Sequence, residues 1–82
     1  MLFSMKDKGF ERLLAGLAKE IKELRLKAGL SQEALALAAG VDRTYVSQLE
    51  RGVANPSLNI LYRISKVLEM DIQVSYLSSG SD

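Results

Sequence analysis

The chain has 82 residues, of which 48% are hydrophobic and 26% charged, and its formal net charge is +1. These values describe one small globular domain, and they exclude a disordered chain and a protein that holds polyanions by a general basic field. Because the sequence contains neither Cys nor His, thiol nucleophiles, disulfides, imidazole bases and the common zinc ligand sets are also excluded.

The N-terminal stretch MLFSMKDKGF lacks the apolar centre of a signal peptide. The longest apolar run, ALALAA, is far too short to cross a bilayer. We therefore expect a cytoplasmic protein with no membrane partner. Nothing in the sequence indicates a cofactor, a metal or a small-molecule effector.

The first predicted element is an amphipathic helix over residues 8–27. Its apolar residues recur at the three- and four-residue spacing of one helix face, namely Phe10, Leu13, Leu14, Leu17, Ile21, Leu24 and Ala28. The opposite face carries Lys19, Glu23 and Lys27 at four-residue intervals, which is typical of a salt-bridged face in water. Gly29 is expected to end this helix.

Two short helices are predicted next, with a three-residue turn between them. Ser31 is expected to cap the helix over residues 32–39, and Gly40 to end it in the left-handed conformation. Asp42 is expected to cap the third helix, which runs from residue 43 to about residue 51.

Small and apolar side chains indicate that the second and third helices cross closely. Ala36 lets the helix axes approach, Gly40 permits the turn, and Val46 and Leu49 supply the opposing apolar edge. Such a pair is a helix-turn-helix, whose second helix can enter a major groove of DNA. The alternative is a plain helical bundle in which the small residues coincide.

The remaining segment is predicted to hold a loop and two more helices. Pro56 holds the residue before it extended, and Ser57 is expected to cap a fourth helix that reaches about Glu69. Its inward side is predicted to carry Leu58, Leu61, Ile64 and Leu68. A last short helix is predicted over residues 72–77, although the alternation of Ile72, Val74 and Tyr76 also suits a strand. The predicted fold is therefore an all-α bundle of five helices in a single domain, residues 1–82, with the helix-turn-helix motif at 32–51.

The third helix has a polar side that is unusual for a surface helix. At about 100° per residue, five side chains fall within an arc of roughly 140°: Arg43, Thr44, Ser47, Gln48 and Arg51. A solvated helix usually carries Glu and Lys there, whereas this arc holds hydroxyls, an amide and two guanidiniums. Acidic residues slightly outnumber basic ones over residues 31–55, so any DNA affinity has to come from individual contacts and helix ends.

From about Leu17 to Leu77 the sequence resembles the lambda-repressor-like (XRE-type) helix-turn-helix family, with Gln32, Gly40, LERG and NPS at the family's places. Within it, VDRTYVSQLERG resembles the controller proteins of restriction-modification systems, which are small dimeric regulators. The resemblance implies a sequence-specific transcriptional regulator that binds double-stranded DNA as a homodimer on a palindromic operator and is not an enzyme. The alternative on the same fold is an antitoxin-like or adaptor module whose partner is another protein.

The resemblance also implies roles for individual residues. The residues expected to read bases lie in the first two turns of the third helix, at Arg43, Thr44, Ser47 and Gln48. An arginine can donate two hydrogen bonds to guanine, and a threonine methyl can meet a thymine methyl. Phosphate binding falls to Gln32, Tyr45, Arg51, Asn55 and Ser57. For four of these nine, other roles stay open: Ser47 can touch a sugar-phosphate instead of a base, Gln48 can face solvent, Tyr45 can pack with its hydroxyl in water, and Arg51 can simply suit the helix end.

Two further groups are structural. Arg25 and Glu50 match a family feature, an ion pair that joins the first helix to the end of the third. The fourth and fifth helices carry more apolar residues than one face needs, which predicts a two-fold interface formed by Ile60, Val67, Ile72, Val74, Tyr76 and Leu77. A monomer with scattered exposed apolar residues is the alternative.

Overall fold

The structure is a computed structural model, and it describes residues 7–72. It contains helices α1 (Lys8–Lys27), α2 (Gln32–Ala39), α3 (Arg43–Glu50) and α4 (Leu58–Leu68). The predicted bounds of these helices are confirmed to within one residue at each end. Among these helices, none is long and apolar enough to cross a bilayer.

Each of the helices α1 to α4 begins at a polar side chain that accepts a hydrogen bond from an amide of the first turn. The four caps are Asp7, Ser31, Asp42 and Ser57. Helix α2 ends at Gly40, which has φ 71°, and the Val41 amide donates to the Ala36 carbonyl at 2.9 Å. Since a side chain is strained at positive φ, glycine at this position gives the turn between α2 and α3 its shape.

The core lies where α2, α3 and the inner sides of α1 and α4 meet. Its largest fully buried side chains are Ile21, Leu35, Val46, Leu49 and Ile64. Of the described helices, α2 and α3 make the most extensive contact, and the small side chain of Ala36 is buried. Burying one large aliphatic side chain stabilises a fold by about 1.5–3 kcal/mol, so this cluster holds α3 rigidly against the body.

The prediction of five helices is wrong, because the structure has four helices over residues 7–72 and no fifth begins before Ile72. Glu69 takes the left-handed conformation (φ 55°, ψ 39°) and ends α4. The Met70 amide then donates to the Ser65 carbonyl at 3.0 Å, which closes the helix end. Residues 71–72 follow without helical structure, and residues 73–77 of the predicted fifth helix lie outside the described residues.

The inward side of α4 is also corrected. Leu58 is 66% exposed, because it lies about 120° around the helix from the buried Ile64. Ile60 and Val67, which the sequence assigns to an interface, are partly buried and pack against the core cluster. Tyr62 is 56% exposed, so the outer side of α4 presents Leu58 and Tyr62.

Candidate nucleic-acid interface

The polar arc of α3 faces outward. Arg43, Thr44 and Arg51 are exposed, and Ser47 and Gln48 are half-buried. The opposite side of the same helix is buried through Val46 and Leu49. The structure therefore brings the five predicted arc residues to one accessible side of a helix that the core anchors.

Both ends of α3 are closed by hydrogen bonds. At the start, an Asp42 side-chain oxygen accepts from the Thr44 amide at 3.1 Å. At the end, the Val53 amide donates to the Gln48 carbonyl at 3.0 Å. A short helix held at both ends presents its side chains in a fixed orientation, which direct reading of base edges requires.

Tyr45 lies beside the arc but belongs partly to the scaffold. Its ring is half-buried and packs against the core cluster. Burial raises the pKa of its hydroxyl above the ordinary value, so the group stays neutral at neutral pH. A neutral hydroxyl can still donate to a phosphate oxygen.

Arg63 braces the turn of the helix-turn-helix from outside the motif. Its Nη1 donates to the Gly40 carbonyl at 3.1 Å and so links α4 to the turn between α2 and α3. Sequence reasoning missed this contact, because Arg63 reads as an ordinary exposed charge on a helix and no local pattern indicates its partner.

Arg25 and Glu50 form an ion pair between α1 and the last residue of α3. Arg25 Nε lies 2.6 Å from Glu50 Oε2 and Nη2 lies 3.0 Å from Oε1, and the two side chains are only 9% and 3% exposed. Nη1 of Arg25 also donates to the Leu30 carbonyl at 2.7 Å. This two-pronged, buried geometry is the strong form of an arginine–carboxylate contact.

Gln32 joins the same cluster. Its Nε2 donates to Glu50 Oε1 at 3.1 Å. Burial by itself raises the pKa of the Glu50 carboxyl, but the hydrogen bonds from Arg25 and Gln32 and the positive charges of Arg25 and Lys22 together outweigh burial, so the net pKa lies below its ordinary value of 4.5. The predicted phosphate ligand Gln32 thus has one side-chain donor committed within the protein.

This cluster predicts an acid limit to stability. Because the pKa of Glu50 is lower in the folded than in the unfolded chain, its contribution to the free energy of unfolding is complete above about pH 4.5 and is lost as pH falls through the folded-state pKa. We expect the carboxyl ¹³C signal of Glu50 to titrate with a midpoint below 4.5 in buffer. The same carbon in urea is the reference, and a native midpoint at or above the urea value would contradict the prediction.

Three of the predicted phosphate contacts lie near helix starts. Gln32 is the first residue of α2, Ser57 caps α4, and Asn55 is exposed two residues before that cap. The first amides of a helix lack partners within it and point toward its N-terminal end, where the helix dipole also favours an anion. Arg51 follows α3 as its C-cap residue and is exposed.

The predicted dimer residues are only partly on a common surface. Ile72 is exposed and, with Leu58, Asn59 and Tyr62, lines a shallow apolar groove on the outer side of α4. Val74, Tyr76 and Leu77 lie outside the described residues. Within residues 7–72 no group of carboxylates could hold a metal ion.

A tight α2–turn–α3 pair with an outward polar third helix, packed on two longer helices, defines a helix-turn-helix protein. The helix-turn-helix family HTH_3 matches residues 21–75, and the chain belongs to this family.

Among its relatives, the control protein C.BamHI of Bacillus amyloliquefaciens is 45% identical over 58 residues, which cover 70% of this chain and 69% of that protein. The structure of the restriction-modification controller protein C.AhdI from Aeromonas hydrophila is 40% identical, covers 71% of this chain and 88% of its own, and superposes with a TM-score of 0.68. The controller protein C.Esp1396I, solved as a tetramer in complex with its natural 35 base-pair operator, is 41% identical, covers 72% of this chain and 78% of its own, and also has a TM-score of 0.68.

Proposed function

We propose that this protein is a sequence-specific transcriptional regulator that acts in the cytoplasm as a homodimer on a palindromic operator and controls restriction-modification genes. The observation that carries the proposal is the accessible arc of Arg43, Thr44, Ser47 and Gln48 on an anchored α3. Similarity to controller proteins, one of them solved on its operator, supports it.

In this proposal the N-terminal ends of α2 and α4 bind DNA phosphates, and α3 contacts the bases. Amides at the first turns of α2 and α4, with Asn55 and Ser57, take phosphates, while Arg43 and Thr44 meet base edges in the major groove. The role needs binding groups only, and it needs no catalytic residue, metal or cofactor. Since Arg51 is the single cation among the five predicted phosphate contacts, few phosphates are neutralised and the salt dependence is expected to be modest.

Selection from a library of random duplexes tests the proposal. The purified protein is expected to enrich a palindrome whose half-sites lie about one helical turn apart. The selected duplex should bind at least about 1,000-fold more tightly than a scrambled duplex of the same composition. Equal affinity for both duplexes across a series of salt concentrations would contradict sequence-specific regulation and favour a protein-interaction module instead.

The second copy is assigned to the outer side of α4. The groove lined by Leu58, Tyr62 and Ile72 is mainly apolar, and exposed apolar surface of this kind favours a protein partner. We place the two-fold contact there, and Ile60 and Val67 support it from within because they pack against the core.

Leu58→Glu is expected to disrupt the dimer while leaving the monomer folded, because Leu58 is 66% exposed. A charge placed in an apolar contact should raise the dimer dissociation constant about tenfold or more, as measured by sedimentation equilibrium. Leu26→Glu is the matched control, since Leu26 is 58% exposed but lies on α1. A Leu58→Glu variant that stays as dimeric as the wild type would contradict this placement.

A further inference from the structure

The side-chain amide of Gln32 lies between the phosphate-binding end of α2 and the last residue of the recognition helix. We infer that Gln32 is a positioning residue. Through its hydrogen bond to Glu50 it fixes the orientation of α3, the helix proposed to read the bases, relative to the start of α2, which is proposed to bind the DNA phosphates. This orientation increases the discrimination between operator and other DNA sequences. The inference rests on the proposed function and adds to it a residue that acts on specificity without contacting a base.

The contacts describe a junction of three helices. Glu50 Oε1 accepts both from Nη2 of Arg25 on α1 at 3.0 Å and from Nε2 of Gln32 on α2 at 3.1 Å, and Glu50 is itself the last residue of α3. Arg25 also holds the Leu30 carbonyl, just before the α2 cap. One buried carboxylate thus fixes the start of α2 against the end of α3.

The chemistry of the amide favours this role over a phosphate ligand. The Nε2 of Gln32 donates toward a carboxylate that is 3% exposed, and hydrogen bonds to a charged, poorly hydrated acceptor are the stronger kind. The side-chain oxygen of Gln32 is an acceptor and cannot bind an anion, so of the side chain only the second hydrogen of Nε2 could meet a phosphate. The backbone amides at the start of α2 remain available for a phosphate without the side chain.

The alternative roles predict different binding patterns. If Gln32 only contacted a phosphate, its loss would weaken operator and scrambled duplexes by the same factor, because phosphates carry no sequence information. If Gln32 positions α3, its loss lets the reading side chains shift, so affinity for the operator falls while affinity for scrambled DNA changes little. The ratio of the two dissociation constants therefore separates the roles.

Gln32→Met is the variant of choice, because it keeps the length and volume of the side chain and removes the amide. We expect the ratio of scrambled to operator dissociation constants to fall about fivefold or more, with the scrambled value within about twofold of the wild type. Asn55→Ala, at an exposed predicted phosphate contact, is the control that should weaken both duplexes equally.

Each outcome has a separate meaning. A wild-type protein that does not discriminate the two duplexes contradicts the proposed function itself. A wild type that discriminates, together with a Gln32→Met variant that keeps the full ratio, contradicts the inference alone. Amide hydrogen exchange in the DNA-free proteins provides a second readout: residues 47–51 at the end of α3 should exchange faster in the variant, and unchanged exchange would overturn the inference.

A measurement on the wild-type protein tests the inference even if the Gln32→Met variant does not fold. The side-chain amide hydrogens of Gln32 should exchange slowly in the DNA-free protein, since one of them is bound to Glu50. Free exchange at the rate of an exposed glutamine would overturn the inference without any mutation.

Discussion

Arg25→Ala is expected to lower the free energy of unfolding by about 3–5 kcal/mol, because it leaves the Glu50 carboxylate buried without its cation. The same change removes the guanidinium that donates a hydrogen bond to the Leu30 carbonyl. It also leaves Gln32 as the remaining side-chain hydrogen-bond donor to the Glu50 carboxylate. In a domain of this size each kcal/mol lowers the melting temperature by roughly 4–8 °C, so thermal unfolding monitored by circular dichroism should shift by more than about 12 °C.

Two further variants decide whether the loss comes from burial. Lys19→Ala removes an exposed cation from the same helix and should change stability by less than about 0.5 kcal/mol. The double variant Arg25→Met with Glu50→Met replaces both charges by apolar groups of similar volume, and most of the stability should return. A loss below about 1 kcal/mol in Arg25→Ala would mean that the pair behaves as an exposed salt bridge.

The sequence predicts the helix-turn-helix well because its signals are local. Ser31, Asp42 and Ser57 each cap the helix that follows, by accepting a hydrogen bond from an amide two or three residues further along the chain. Gly40 accepts a positive φ where the chain turns. Such signals depend on neighbours in the chain and not on the tertiary fold, so the starts of α2, α3 and α4 and the end of α2 follow from the amino-acid sequence alone.

The errors arise where tertiary packing decides. An apolar stripe on α4 permits more than one inward side, and only the position of the core decides that Leu58 lies on the outer side. The sequence places the end of α4 near Glu69, but it does not indicate that Glu69 takes a left-handed conformation, which glutamate rarely adopts. The apolar residues that follow therefore predict a fifth helix, whereas the described chain has none.

In the candidate site, too, features set by local sequence are predictable and features set by tertiary packing are not. The arc of α3 follows from helix periodicity, so its outward position is predictable from residue spacing. The partners of Gln32 and Arg63 are 18 and 23 residues away in the chain, and no spacing rule links them. Residue spacing therefore identifies the outward polar surface of α3, whereas the contacts of Gln32 and Arg63 that hold the motif in place appear only in the tertiary structure.

Arg43→Ala is expected to weaken operator binding by about 1–3 kcal/mol, or roughly 5- to 150-fold, and to relax the preference at one base position in each half-site. Arg43 is the first residue of α3 and is exposed, so its removal should leave folding intact. Competition binding against operators with each base substituted in turn measures both effects.

Arg51→Ala separates base reading from charge, because the same charge is removed next to the other end of α3. As a predicted phosphate contact, Arg51 should matter equally for all duplexes, and its loss should reduce the slope of log K against log[salt] by about one. If Arg43→Ala produced that uniform pattern instead, Arg43 would be a backbone contact. Base reading would then fall to Thr44, Ser47 and Gln48, whose shorter side chains require α3 to lie deeper in the groove.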